Sequence, residues 1–88
     1  MADSIEIEIT GNRVIVPPRF GHDKLCIQVV GSRRQSDVAI DALAAQIVEL
    51  LGGTWERADH PGAGHIRICT VESSDSLEQI IAKLEQCK

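Results

Sequence analysis

Polar and apolar residues alternate over the first part of the chain. Isoleucine and glutamate take turns from Ile5 to Ile9, and a short apolar run, Val14–Val16, follows a Gly-Asn turn signal. A period of two is typical of a strand with one buried face. We therefore predict a β-hairpin over residues 5–16, which Pro17 ends because proline cannot donate to a strand ladder.

The apolar run Leu25–Val30 is nearly continuous, as is typical of a central strand. From Ser36 to Leu51 the apolar residues recur at helical spacing. Ser36 is a good N-cap because its hydroxyl accepts an N–H group of the first turn, and Gly52 is typical of a helix end. A strand and a long helix are thus predicted, joined by the segment 31–36.

The rest of the chain predicts a second hairpin and a second helix. Residues 54–58 and 65–71 have strand patterns on either side of a loop rich in glycine and proline. A further apolar stripe at helical spacing predicts the last helix. Asp75 and Glu78 are spaced as a capping box at its start, and Ser74 is the rival cap.

The predicted element order is β-β-β-α-β-β-α. From Leu25 onward this order resembles that of ferredoxin-like plaits. The resemblance implies an α+β sandwich whose two helices cover one face of a mostly antiparallel sheet. The N-terminal hairpin would supply the strand that a plait has at its C-terminal end. We expect residues 1–88 to form one such domain, since 88 residues suit a single domain.

In this arrangement the second face of the sheet stays open. Alternation along 65–71 places Ile66 and Ile68 on one side and His65, Arg67 and Cys69 on the other. We assign the polar set to the open face. Its predicted residues are then Glu6, Glu8, Gln28, His65, Arg67 and Cys69.

Composition adds an uneven charge distribution. The net charge is −4, yet the region from Thr10 to Gln35 contains only one acid, Asp23. Such a distribution suits an acidic partner at the basic region. The basic residues there are Arg13, Arg19, Lys24, Arg33 and Arg34.

The sequence has three cysteines, an odd number, and they are widely spaced at Cys26, Cys69 and Cys87. The N-terminus has no apolar signal segment, so we expect reduced thiols in a cytoplasmic protein. No apolar run approaches the length of a membrane span, and no membrane partner is predicted.

His60, His65 and Cys69 come closest to a metal site, because zinc favours imidazole and thiolate. On one strand, however, His65 and Cys69 lie more than about 10 Å apart, at about 3.3 Å per residue. One ion does not bridge that span without a bulge. Surface histidines and a strand cysteine are the simpler interpretation, and we predict no metal and no cofactor.

A catalytic pair of cysteine and histidine is the other chemical option, with His22 or His65 beside Cys26 or Cys69. Catalytic thiols usually occupy loops or helix N-termini, where their pKa is lowered. Both cysteines lie within predicted strands, and no orienting carboxylate is evident. We therefore expect a protein that is not an enzyme.

The segment 31–36 carries Ser32, Arg33 and Arg34 just before a helix N-terminus. Backbone N–H groups and two guanidinium groups suit a phosphate or a carboxylate there. The alternative is a pair of solvated arginines, because the glycine pattern of a phosphate-binding loop is missing.

Nucleic acid is a weaker alternative, through the basic region 13–34. Plaits that bind RNA stack bases on aromatic strand residues. The corresponding strands here carry no aromatic residue, and the net charge is negative. Both observations argue against nucleic acid.

The strand Ile5–Ile9 suggests a second use. At a sheet edge its backbone can pair with another chain, including a second copy in a homodimer. The alternative is an ordinary strand inside the domain.

The preferred hypothesis is a protein-interaction module, such as an adaptor, accessory subunit or inhibitor. It would bind a larger protein through the open sheet face and the basic strand-to-helix loop. The alternative is a regulatory domain that senses a small ligand or anion. The candidate binding residues are Ser32, Arg33, Arg34, Arg67, Gln28, Glu8, Arg13 and Lys24.

Overall fold

The computed structural model describes residues 4–17, 24–31, 34–58, 64–73 and 75–87. Its elements follow in the predicted order, with strand bounds close to those predicted. They are β1 (Ile5–Ile9), β2 (Asn12–Val16), β3 (Leu25–Gly31), α1 (Asp37–Leu51), β4 (Gly53–Arg57), β5 (His65–Val71) and α2 (Leu77–Glu85).

The five strands form one antiparallel sheet in the order β1-β2-β3-β5-β4. The chain is therefore an α+β domain, with β3 at the centre of the sheet and β1 and β4 at its edges. The N-terminal hairpin belongs to this sheet, because β2 pairs with β3.

The turn of the first hairpin consists of Thr10 and Gly11. Both have positive φ angles, 48° and 83°, as the favoured two-residue hairpin turn requires. The Gly-Asn signal suggested that Asn12 belongs to the turn. Asn12 instead pairs with Ile9 and is the first residue of β2. The side chain of Asn12 is buried.

Helix α1 begins and ends where the sequence predicts. The hydroxyl of Ser36 accepts a hydrogen bond from the backbone N–H of Ala39 at 3.2 Å. At the other end, Gly52 has a φ of 84° and donates its N–H to the carbonyl of Val48. The buried stripe between these caps is Ile40, Leu43, Ala44, Ile47 and Leu51.

The predicted cap of α2 was wrong, because Ser76 takes that position. Its hydroxyl accepts the N–H of Gln79, and the Gln79 side chain accepts the N–H of Ser76 at 2.9 Å. Asp75 instead accepts a hydrogen bond from Lys83 at 2.5 Å. Ser74 lies outside the described residues.

Both helices contribute to one hydrophobic core on a single face of the sheet. The α2 residues Ile80 and Leu84 join the buried stripe of α1 there, and Trp55 packs against the edge of the core. The sheet residues of the core are Ile7, Ile9, Val14, Val16, Leu25, Ile27, Val29, Cys69 and Val71. Of the helices in the described ranges, none has both the length and the hydrophobicity that crossing a bilayer requires.

Candidate interaction surface and the ionic cluster beneath it

Strand β5 faces the opposite way from the prediction. Its register pairs Arg67 with Val29 and Cys69 with Ile27, both of which belong to the core. The assignment of His65, Arg67 and Cys69 to the open face was therefore wrong. Ile66 and Ile68 take those positions instead.

Two carboxylates stabilise the side chain of Arg67 in the interior of the domain. Its side chain is fully buried, and its Nε donates to Asp41 Oδ1 at 2.6 Å. A second nitrogen donates to Asp37 Oδ1 at 3.2 Å, and a third to the carbonyl of Ile66 at 3.0 Å. Paired and hydrogen-bonded in this way, a guanidinium group tolerates burial.

The two aspartates lie one helical turn apart at the start of α1. That spacing puts them on one side of the helix, and the helix dipole favours negative charge at this end. Asp41 also accepts a hydrogen bond from Arg57 of β4 at 2.9 Å, and His65 Nδ1 lies 3.0 Å from Asp37 Oδ1. We call Asp37, Asp41, Arg57, His65 and Arg67 the ionic cluster.

Charge within the ionic cluster changes the acidity of its members. Hydrogen bonds from Arg57 and Arg67 hold the pKa of Asp41 below its ordinary value of 3.8. The same contact with Asp41 raises the pKa of Arg57. Asp41 is therefore a carboxylate at neutral pH, as the buried Arg67 requires.

On the opposite face of the sheet, apolar side chains lie at the centre. Ile15, Gln28 and Ile68 form one row across three strands, and Val30 and Ile66 are neighbours in the next row. All four aliphatic side chains are partly exposed. We call this surface the open face. Its residues are Glu6, Glu8, Arg13, Ile15, Cys26, Gln28, Val30, Thr54, Glu56, Ile66, Ile68 and Thr70.

Acidic residues lie on both outer strands of the open face. Glu6 and Glu8 belong to β1, and Glu56 belongs to β4. Arg13 forms an ion pair with Glu6 across β1 and β2. An apolar centre with a charged rim is the usual anatomy of a protein interface.

The predicted binding residues do not all lie on one surface. Glu8, Arg13 and Gln28 share the open face, whereas Lys24 lies before β3 and pairs with Glu72 at 3.1 Å. Arg34 is exposed beyond the other end of β3. Ser32 and Arg33 lie outside the described residues, so the basic loop stays a prediction.

The isoleucines of β5 were not predicted as surface residues. A weak signal was present, because Asp37 and Asp41 stand at helical spacing and place two carboxylates where a basic side chain of the sheet can pair with them. Once Arg67 faces those carboxylates, alternation turns Ile66 and Ile68 outward. The sequence does not say which basic residue meets them.

Burial changes the acidity of two of the three thiols. Cys69 is buried, and burial raises the pKa of its thiol to about 11, so it stays protonated at neutral pH. Burial also raises the pKa of Cys87. Cys26 is exposed on the open face, and no disulfide links these three residues.

The histidine and cysteine that come closest to a metal site are not brought together in the part of the chain that the structure describes. His65 faces Asp37, and the Cys69 thiol lies 3.9 Å from the carbonyl of Ala44. Within the described ranges, no group of three or more metal-binding side chains was found. His22 and His60 lie outside these ranges.

The fold and the surface together define a small α+β domain whose antiparallel sheet is covered by helices on one face. In comparisons with known proteins, this chain matched no family model, no curated protein and no solved structure.

Proposed function

We propose that this protein is a non-enzymatic protein-interaction module that binds a larger protein through the open face. The observation that carries the proposal is the orientation of β5, which turns Ile66 and Ile68 outward while Arg67 is buried. Covering aliphatic surface is the main driving force of protein association, and these side chains lie at the centre of the face.

The architecture supports the same proposal. We infer a ferredoxin-like plait from β3 to α2, in which β2 takes the place of the fourth strand. In favour of this inference, β3 lies between β2 and β5, and both pairings are antiparallel. A plait with its helices on one side leaves the whole second face for a partner.

Replacing Ile68 with aspartate should weaken partner binding by about tenfold or more, the effect of losing a central contact. The immobilised chain would first capture its partner from a lysate of the source organism, and the dissociation constant would then be measured. Val38→Asp is the matched control, since Val38 is 77% exposed on α1, away from the sheet.

The Ile68→Asp variant should keep its circular dichroism spectrum and thermal midpoint, because Ile68 faces away from the core. Equal binding by the wild type, Ile68→Asp and Ile66→Asp would contradict the proposal. A loss that Val38→Asp shares would place the binding surface elsewhere.

A second candidate function is small-ligand sensing at the segment 31–36. The side-chain oxygens of Asn12 and Gln35 are buried there without a hydrogen-bond partner among the described residues. Both lie within 2.9 Å of the position that a Cβ on Gly31 would occupy. Arg34 is exposed nearby in sequence, and its guanidinium group suits an anionic ligand.

Such a ligand should raise the thermal midpoint of the wild type, because binding stabilises the folded state. The screen would use amino acids, phosphate and carboxylate metabolites at millimolar concentration. Arg34→Ala should abolish the shift without lowering the midpoint of the unliganded protein. No shift with any compound would remove this candidate.

A further inference from the structure

Strand β1 forms a regular edge of the described sheet. It is the outermost strand of the sheet, and no described strand lies against its outer side. The two-residue turn Thr10-Gly11 makes Ile9 and Asn12 the closing pair of the hairpin. In an antiparallel ladder, pairs that exchange both hydrogen bonds alternate with pairs that exchange none.

That alternation identifies which backbone groups point outward. The closing pair exchanges both hydrogen bonds, and so does the pair Ile7 and Val14 two residues further along. The N–H and C=O groups of Glu6 and Glu8 consequently face away from β2. A free edge of this kind can bind an extended strand from another chain.

The side chains along the edge specify the strand that fits. Glu6 and Glu8 lie on the open face, where residues of an added strand would stand directly opposite them. Arg13 is already paired with Glu6, and Glu8 has no ion pair among the described residues. On the helix side of the sheet, Ile5 is 36% exposed and would be covered by an aliphatic neighbour.

A second copy of the chain fits this edge poorly. If two β1 strands paired antiparallel around Ile7, Glu6 of one copy would stand opposite Glu8 of the other. Like charges directly opposite each other destabilise a strand pair. The other edge strand, β4, is less suitable for a basic partner because it places one carboxylate, Glu56, on the open face, whereas β1 places two there.

We propose that the outer edge of β1 binds an extended segment of a partner protein in which lysine or arginine alternates with branched aliphatic residues. The basic side chains pair with Glu6 and Glu8, and the aliphatic ones cover Ile5 and the neighbouring core. This surface is the backbone edge of the sheet, so the proposal stands independently of binding at the centre of the open face.

A synthetic peptide tests the proposal directly. The probe is capped Thr-Val-Lys-Val-Lys-Val-Thr, and the control peptide has glutamate in place of lysine. Titrated into the labelled full chain, the lysine peptide should shift the amide resonances of Glu6 and Glu8 and slow their hydrogen exchange. It should bind about tenfold more tightly than the glutamate peptide, and more weakly at high salt.

Two variants distinguish backbone pairing at the edge of β1 from a non-specific attraction between opposite charges. Glu8→Pro removes an outward N–H group, which proline tolerates at an edge strand, and should abolish peptide binding. Glu8→Gln keeps the N–H group and should retain weaker binding. Ile68→Asp should bind the peptide like the wild type, since it alters only the centre of the open face.

Peptide shifts that survive in Glu8→Pro would overturn the proposal, as would equal affinity for the two peptides. Sedimentation should show a monomer at micromolar concentration. A dimer that Glu8→Pro dissolves would identify a second copy as the occupant and would also overturn it.

Discussion

Replacing Asp41 with alanine should lower the thermal midpoint by about 10 °C or more, further than replacing the fully buried Arg67 with methionine. Without Asp41, the guanidinium group of Arg67 stays buried and loses its shortest contact, at 2.6 Å. Methionine removes the buried charge altogether and fills a similar volume with apolar atoms. Exchanges of that kind are often neutral or stabilising. Differential scanning calorimetry measures both midpoints.

The double variant Asp41→Ala/Arg67→Met is the control, and it should recover most of the stability lost in Asp41→Ala.

The dependence of stability on pH is a second control. The folded-state pKa of Asp41 lies below its ordinary value, so this carboxylate stabilises the fold above pH 3.8, and the contribution is lost as the pH falls through the lowered pKa. Arg67→Met should weaken this acid sensitivity. Equal midpoints for Asp41→Ala and the wild type would contradict the role of the ionic cluster.

Replacing Gly53 with alanine should reduce the free energy of unfolding by about 3 kcal/mol or more. Gly53 has a φ of 151°, and a Cβ added there would lie 2.0 Å from the backbone oxygen of Thr70. That oxygen belongs to β5, which pairs with β4, so it cannot move aside without disturbing the ladder. Urea denaturation measures the loss.

The neighbouring glycine provides a matched control. Gly52 also has a positive φ, 84°, but a Cβ on it would meet its nearest atom, the carbonyl of Glu72, at 3.9 Å. Gly52→Ala should therefore cost less, about 1 to 2 kcal/mol, because only the backbone strain of the positive φ remains. Similar losses for the two variants would show that steric contact with Thr70 is not decisive.

The ionic cluster and the open face are two consequences of one orientation. Burial of Arg67 against Asp37 and Asp41 places Ile66 and Ile68 on the other side of β5. A strand with the opposite orientation would bury both isoleucines and expose the arginine. The domain thus has a buried charge and a partly exposed apolar surface on the same strand, and the proposed binding function gives the outward-facing isoleucines a role.

Several features could be predicted from the sequence because they depend on neighbours in the chain. The alternation of Ile5–Ile9 predicted the strand and its two faces. Ser36 and Gly52 predicted both ends of α1, since a cap needs only the backbone of the adjacent turn. The predicted N-cap of α2 was one residue too early, because the side chains of three adjacent residues, Ser74 to Ser76, can all act as an N-cap.

The orientation of β5 depended on the tertiary structure. A period of two identifies two faces but does not say which one is buried. Here the choice depends on Asp41, which is 26 positions from Arg67 in the chain. The sequence by itself thus determined the elements, their order and the aliphatic character of the core, because those depend on local patterns. The tertiary structure alone decided which side of β5 meets the helices, since a buried charge is stable only where distant carboxylates meet it.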